Sequence, residues 1–206
     1  MSHMISVLNY GGGNLHSICH VLSYLSLPYQ LVSTPEQVEK SLCLVVPGQG
    51  AFVEVMQYLR THELEDVIRD HILKEKPFLG VCLGFQILFT SSDEHGGCKG
   101  LNVFPGHFCR FPDDQLSVPH MGWNVLQLSD IAMTLLAPYQ HRSYVYFVHS
   151  YFLPDTDTSL IAAKSDYGVD FVSAIKTERL LATQFHPENS GEVGLALLSN
   201  FFAQVF

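Results

Sequence analysis

Positive charge is scarce in this 206-residue chain: eleven Lys and Arg stand against twenty Asp and Glu, a net charge of −9 with histidine neutral. A surface built to neutralise phosphates needs the reverse balance, so no nucleic-acid partner is expected. Long apolar runs are also lacking. None approaches the roughly 20 residues that cross a bilayer, so no membrane partner is expected either. The start lacks the basic, apolar and small-residue succession of a signal peptide. Met1-Ser2-His3-Met4 instead reads as a cloning scar ahead of one domain over 5–206. Paired cysteines are missing as well. Cys19, Cys43, Cys82, Cys98 and Cys109 are odd in number with no CxxC, which suits reduced thiols in a cytoplasmic protein. His16 and His20 stand at i,i+4, and His95, Cys98, His107 and Cys109 lie close in sequence, but no HExxH or CxxC organises them. No metal and no cofactor are expected.

What is there is a core. Hydrophobic residues make up 47% of the chain, enough for one compact domain, and no repeat, linker or low-complexity segment divides it. In the first half, short apolar runs alternate with helical patterns. Ile5 to Leu8 reads as a strand, Gly11 to Gly13 as a turn and Asn14 to Leu27 as a helix. Leu42 to Val46 reads as a strand ended by Pro47-Gly48, Glu54 to Lys74 as a helix, Pro77 to Val81 as a buried strand and Leu83 to Phe89 as a helix. In the second half strands dominate: Ser143 to Val148, Leu160 to Lys164, Val169 to Ile175 and Leu180 to Phe185, before a closing helix over Val193 to Ala203. The expected fold is α/β: a single domain with a mostly parallel central sheet flanked by helices, plus added antiparallel strands.

Three segments carry chemistry. Gly80-Val81-Cys82-Leu83-Gly84 lies between a predicted strand and a predicted helix. A nucleophile there sits on a tight turn above the sheet, the flanking glycines remove clashing side chains, and backbone N–H groups of the next turn can hold an oxyanion. The helix N-terminus also favours the thiolate. Gln184-Phe185-His186-Pro187-Glu188 follows a predicted strand and offers His186 as a base for Cys82 and Glu188 as the group orienting His186. Pro47-Gly48-Gln49-Gly50-Ala51-Phe52 ends another strand, and its glycines let a peptide N–H approach a ligand or let the backbone stand as a plain turn.

Together these segments resemble the class I, or triad, glutamine amidotransferases, whose elbow reads G-[IV]-C-x-G-x-Q and whose closing motif is HPE. Asn9 to Leu15, Pro47 to Phe52, Pro119-His120-Met121-Gly122-Trp123-Asn124 and Phe147-Val148-His149-Ser150-Tyr151 narrow the resemblance to the glutaminase subunits of imidazole glycerol phosphate synthases. The matches run in order from Ile5 to Ser190. The resemblance implies glutamine hydrolysis by Cys82, His186 and Glu188, with Gly50 and the Leu83 N–H as oxyanion hole. It implies that Gln86, Glu94, His149, Ser150 and Tyr151 hold glutamine. It also implies a (β/α)₈ cyclase partner that takes the ammonia for histidine synthesis, and Asn14, Met121, Trp123 and Asn189 are the candidate contacts. Whether Trp123 sits in that interface or in the core stays open.

Three positions depart from the pattern: Asn189 replaces the usual Lys after HPE, Gln49 replaces Val in PGVG, and Asn9 replaces Asp. None touches the triad, so they bear on coupling to the partner. An alternative within the same chemistry is a glutaminase feeding an enzyme that makes amidino groups on bacterial surface sugars. A second, of another class, is an interaction subunit that has lost catalysis.

Overall fold

The computed structural model describes residues 4–12, 14–114, 116–137, 139, 143–154 and 159–206. Gly13 of the expected glycine turn and residues 1–3 of the expected scar lie outside these.

Strands covered on both faces need apolar residues at every position. Ile5–Leu8 (β1), Cys43–Val46 (β3) and Phe78–Val81 (β4) come close to that, Ser6 being the one polar residue among them, and are buried throughout. β1 pairs in parallel with Tyr29–Val32 (β2) on one side and with β3 on the other. β3 pairs in parallel with β4, and β4 with the strand Leu180–Thr183. The antiparallel strands Asp170–Lys176, Ile161–Asp166 and Gln127–Leu128 extend this to an eight-stranded sheet. The mostly parallel sheet with antiparallel additions is therefore the observed architecture.

Alternation along the strands splits the core between two faces. Ile5 and Val7 pack with Ile18 and Leu22 of α1 (Leu15–Tyr24) and with Leu198 and Phe202 of the closing helix Gly191–Val205. Leu8, Leu44 and Val46 pack on the other side with Val55 and Leu59 of the helix Phe52–Thr61 and Ile68 of the helix Leu64–Leu73. Two small sheets cover the C-terminal end of the parallel strands. One is the antiparallel ribbon of His120–Val125 with Tyr144–His149. The other joins Ser91–Ser92, Cys98–Lys99, His107–Arg110 and Tyr151–Phe152.

Three helix boundaries differ from the expectation. The first helix ends at Tyr24, where Ser26 takes a positive φ of 56°. The single helix expected over Glu54 to Lys74 is two, broken where Glu63 adopts φ 56°. Both halves bury one face against the same cluster, so the apolar period runs on past the break. The helix after Cys82 is α-helical only over Leu83–Gln86, and tighter i to i−3 bonds carry the chain to Phe89. The edge strand β2 and the helix Pro35–Glu39 were not anticipated. β2 exposes Gln30 and Leu31, and the short helix is defined by a capping box of Thr34 with Gln37 more than by an apolar stripe.

Packing is tight beside the elbow. A Cβ at Gly84 would collide with the Val46 carbonyl oxygen and come within 3.3 Å of the Val46 Cβ. Gly84→Ala is therefore expected to lose about 1–3 kcal/mol of stability, seen in urea titration as a lower midpoint at unchanged slope. An unshifted midpoint would mean that the elbow yields without cost.

Candidate active site

The end of β4 delivers Cys82. Its amide donates to the Thr183 carbonyl at 2.7 Å, which continues the parallel pairing one residue past the strand. The chain then turns sharply: Cys82 has φ 53° and ψ −103°, a conformation costing a non-glycine residue about 1–3 kcal/mol. The turn aims the side chain back over the sheet edge. Cys82 is 6% exposed and lines a cavity of about 340 Å³ together with Gly48, Gln49, Gly50, Leu83, Gln86, Glu94, Pro119, Val148, His149, Ser150, Tyr151 and His186. All of these are residues singled out in the sequence or within its motifs, and the cavity gathers them from six separate segments.

His186 enters beside Cys82, where its backbone amide donates to the Tyr146 carbonyl at 2.9 Å. Its Nδ1–H donates to Glu188 Oε1 at 2.8 Å, with both side chains at most 2% exposed. Asn14 Nδ2 donates to the same carboxylate oxygen at 3.4 Å. Asn14, expected at a partner surface, thus reaches the carboxylate. Burial alone would lower the His186 pKa. The negative charge of Cys82 and the bond to Glu188 outweigh it and push the ring up to about 10. The site accordingly favours a protonated ring at His186. Because the helix after Cys82 is a single turn, local N–H groups and His186, not a long helix dipole, supply the positive potential.

Gln86 and Gln184 form a second line to the sulfur. Gln86 Nε2 donates to Gln184 Oε1 at 3.0 Å, and Gln184 Nε2 donates to Cys82 Sγ at 3.6 Å. Gln184 was not singled out as a site residue, although its spacing from His186 was a usable signal: residues i and i+2 of an extended chain face the same way. Glu94 accepts from the Phe52 amide at 2.6 Å and so ties the cavity wall to the end of the Pro47–Phe52 segment. Gly50 lines the cavity with φ 112°, while Gly48 is the glycine that abuts the elbow. A Cβ on Gly48 would collide with the Leu83 nitrogen.

The Ser150–Tyr151 wall is held by a polar strut. His149 Nδ1 donates to the Tyr151 carbonyl at 2.9 Å, so its Nε2 must accept; it does so from His120 Nδ1 at 2.9 Å. His120 Nε2 then accepts from Asn124 Nδ2 at 3.4 Å, and that amide also donates to the Asp166 carbonyl at 2.8 Å. Every ring is satisfied when both histidines are neutral. Burial lowers His120 to about 4. Burial, with the nearby His120 and His186 charges, lowers His149 to about 3 despite the bond to Tyr151. The outward side of the same ribbon is apolar: Met121 is 62% and Trp123 57% exposed, with Val125 and Tyr144 beside them. Trp123 is a surface residue. Asn189 is also exposed and lies with His16, His20 and Glu188 around a separate cavity of about 240 Å³.

Residues 6–205 match the family model described as glutamine amidotransferase class-I. The chain is 43% identical over 204 residues to the imidazole glycerol phosphate synthase subunit HisH of Nostoc punctiforme, covering 98% of this chain and 96% of that one. It is 42% identical over 199 residues to the protein of the same name from Archaeoglobus fulgidus, covering 96% and 97%. Among solved structures it resembles PurLQS from Thermotoga maritima (TM-score 0.75, 14% identity, 100% of both chains). It also resembles a crystal structure of a glutamine amidotransferase (TM-score 0.72, 18% identity, 98% of both chains). At those identities the structural likeness bears on the fold.

The buried histidines set a pH window for stability. His71, like His120, is lowered by burial to about 4 from an ordinary value of 6.5, and His149 falls to about 3. The unfolded chain therefore binds more protons than the fold between those values, so the stability these rings contribute is complete above about pH 6.5 and is lost as pH falls toward 4. Thermal melts between pH 7 and 4.5 are expected to show a steadily falling Tm. A flat Tm over that window would show that the rings carry their charge inside the fold.

Proposed function

The chain belongs to the class I glutamine amidotransferase family, and we propose that Cys82, His186 and Glu188 are the triad with which it hydrolyses glutamine. It is the glutaminase subunit of an imidazole glycerol phosphate synthase, the assignment carried by relatives about two-fifths identical over nearly the whole chain. The observation that supports the triad best is the buried bond from His186 to Glu188, placed beside a strained elbow cysteine in one cavity.

The steps follow from those charges. The Cys82 thiolate attacks the side-chain amide carbon of glutamine, and its oxygen takes up negative charge against the Leu83 N–H and a peptide N–H of the Gly48–Gly50 turn. As the C–N bond breaks, His186 gives its proton to the leaving nitrogen, and ammonia departs from a glutamyl thioester. His186, now neutral, takes a proton from water. The hydroxide equivalent attacks the thioester, glutamate leaves, and the thiolate–imidazolium pair is restored. Glu188 keeps Nδ1 protonated, so that Nε2 is the nitrogen that exchanges protons. Gln86, Glu94 and the His149–Tyr151 wall hold the amino-acid end of glutamine, where a zwitterion needs charge-assisted bonds.

Ammonia passes to a (β/α)₈ cyclase subunit. We assign its docking surface to the exposed Met121 and Trp123 face, with Asn14 and Asn189 at the neighbouring edge. An exposed aromatic cluster this large on a water-facing ribbon suits a buried hot spot in a heterodimer.

Glutamate release is measured for the chain alone, with a cyclase subunit of the histidine pathway, and with that subunit plus its nucleotide ligand. Activity is expected to be low alone, to rise with partner and ligand, and to vanish in Cys82→Ala. Glu188→Gln should lower kcat by roughly 10²–10⁴-fold, because the imidazole loses its tautomer and its counter-charge. No Cys82-dependent release under any condition would sink the triad; release without stimulation would redirect the partner assignment to the surface-sugar enzymes. Trp123→Ala should weaken binding to the cyclase by about 2 kcal/mol, roughly 30-fold in Kd by calorimetry. An unchanged Kd would remove the ribbon face from the interface.

A further inference from the structure

Two buried carboxamides run from the cavity wall to the sulfur. Gln86 Nε2 donates to Gln184 Oε1 at 3.0 Å, and Gln184 Nε2 donates to Cys82 Sγ at 3.6 Å. Gln184 is fully buried and Gln86 is 4% exposed, so bulk water offers neither amide another partner. Gln86 lines the cavity that holds Cys82. With its nitrogen committed to Gln184, its oxygen is the end left for that cavity.

The three groups constrain one another. A carboxamide has a donor end and an acceptor end of similar size, and half a turn of its terminal torsion exchanges them with the heavy atoms in place. A donor must meet an acceptor between the two amides, so the pair turns together or not at all. In the observed arrangement both nitrogens point toward the sulfur, which accepts. In the reverse arrangement the sulfur must donate to Gln184 Oε1, which only a thiol can do, and Gln86 presents Nε2 to the cavity. A thiolate therefore excludes the reverse arrangement. A thiol can serve either, its S–H turning to the Val148 carbonyl at 4.0 Å in the observed one.

We propose that Gln184 is a positioning residue that, through Gln86, links binding of the substrate α-ammonium group to the state of the Cys82 sulfur. The proposal rests on the glutaminase reading above. An ammonium group offers donors alone, so it meets Gln86 Oε1 and rejects the arrangement with Nε2 outward. Seating it holds both amides with their donors toward the sulfur, where a charge-assisted bond favours the thiolate. By linkage, the thiolate in turn tightens the hold on the ammonium group. Among the described residues, the titratable groups around the sulfur and its cavity are His186, held protonated by the Cys82 and Glu188 charges, Tyr10, whose phenol burial keeps neutral, and His149, Tyr151 and Glu94 on the wall.

Gln184→Met keeps an unbranched side chain of similar length and deletes the donor. Alkylation by iodoacetamide is followed at the Cys82 peptide across pH, in the complex with the cyclase and its nucleotide ligand. The midpoint of the profile is expected to move up by roughly one pH unit in the variant, and kcat for glutamate release to fall about tenfold with KM within about threefold. L-2-Aminobutyrate carries the α groups of glutamine and stops short of its amide. It should lower the wild-type midpoint, and the shift it causes in Gln184→Met should be less than about half as large. A wild-type midpoint in the variant overturns the relay. Equal shifts in the two proteins also overturn it, because the ammonium group would then act by its field alone. If the variant does not fold, nuclear magnetic resonance of the Gln184 side-chain amide in the wild-type protein decides. Amide protons that move as the thiolate forms and again as 2-aminobutyrate binds support the relay, and protons that ignore either event overturn it. Absence of Cys82-dependent turnover in the wild type defeats the glutaminase reading and the relay with it, whereas normal wild-type turnover with an unmoved profile in Gln184→Met defeats the relay alone.

Discussion

The parallel register of β4 between β3 and the strand Leu180–Thr183 is the constraint on which the site depends. Val46 stands opposite Gly80, and Thr183 stands opposite Val81, so the three strands end level. Their continuations are the Pro47–Phe52 turn, the Cys82 elbow and the Gln184–Glu188 segment. Groups far apart in sequence therefore meet above one sheet edge, where carboxyl ends of parallel strands characteristically build sites. A slip of one residue would turn alternate side chains to the opposite face and dismantle the cluster. The tight fit of Gly84 under the Val46 carbonyl makes that register hard to change.

Histidines of opposite character share the cavity wall, and their environments separate them. His186 lies between the Cys82 sulfur and the Glu188 carboxylate, and two negative neighbours overcome its desolvation. His149 is just as buried but faces a carbonyl and another imidazole, so desolvation wins and it stays neutral. The consequence is a single positive charge placed where a proton must be delivered. A charged His149 would compete for the thiolate and leave the strut to His120 with two donors facing each other. The tautomer order from Tyr151 through His149 and His120 to Asn124 is thus both a structural tie and a charge filter.

Much of this was legible in the sequence. Short, almost wholly apolar runs marked β1, β3 and β4 because burial on both faces leaves little room for polar residues. Cys82, His186 and Glu188 stood out because the elbow and the closing motif specify residue types at fixed spacing, and the fold brings Cys82 and His186 to one cavity with Glu188 bonded behind the ring. Other features left no local trace. The break at Glu63 is invisible to periodicity, since both helices bury the same face. Trp123 could not be placed, because alternation in a two-stranded ribbon says that one face is covered and not which. Tyr10 stands just ahead of the glycine turn, and its bond to Gln49 spans 39 residues, a separation that no short-range pattern reports.

The ribbon of His120–Val125 with Tyr144–His149 joins an exposed apolar face to the cavity through a single layer of backbone. Successive residues on a strand face opposite ways, so Met121 and Trp123 point outward while His120 points in, and Val145, Phe147 and His149 are buried while Tyr144 is exposed. The Val148 carbonyl on the same strand lies 4.0 Å from the Cys82 sulfur, and the Tyr146 carbonyl receives the His186 amide at 2.9 Å. A backbone with an exposed apolar face on one side and contacts to Cys82 and His186 on the other cannot shift at one without shifting at the other. Behind the turn that ends β3, Asn14 is bonded to Glu188 and Tyr10 to the Gln49 amide. The ribbon wall is thus one strand thick, and whatever moves its exposed side moves the groups beside the sulfur.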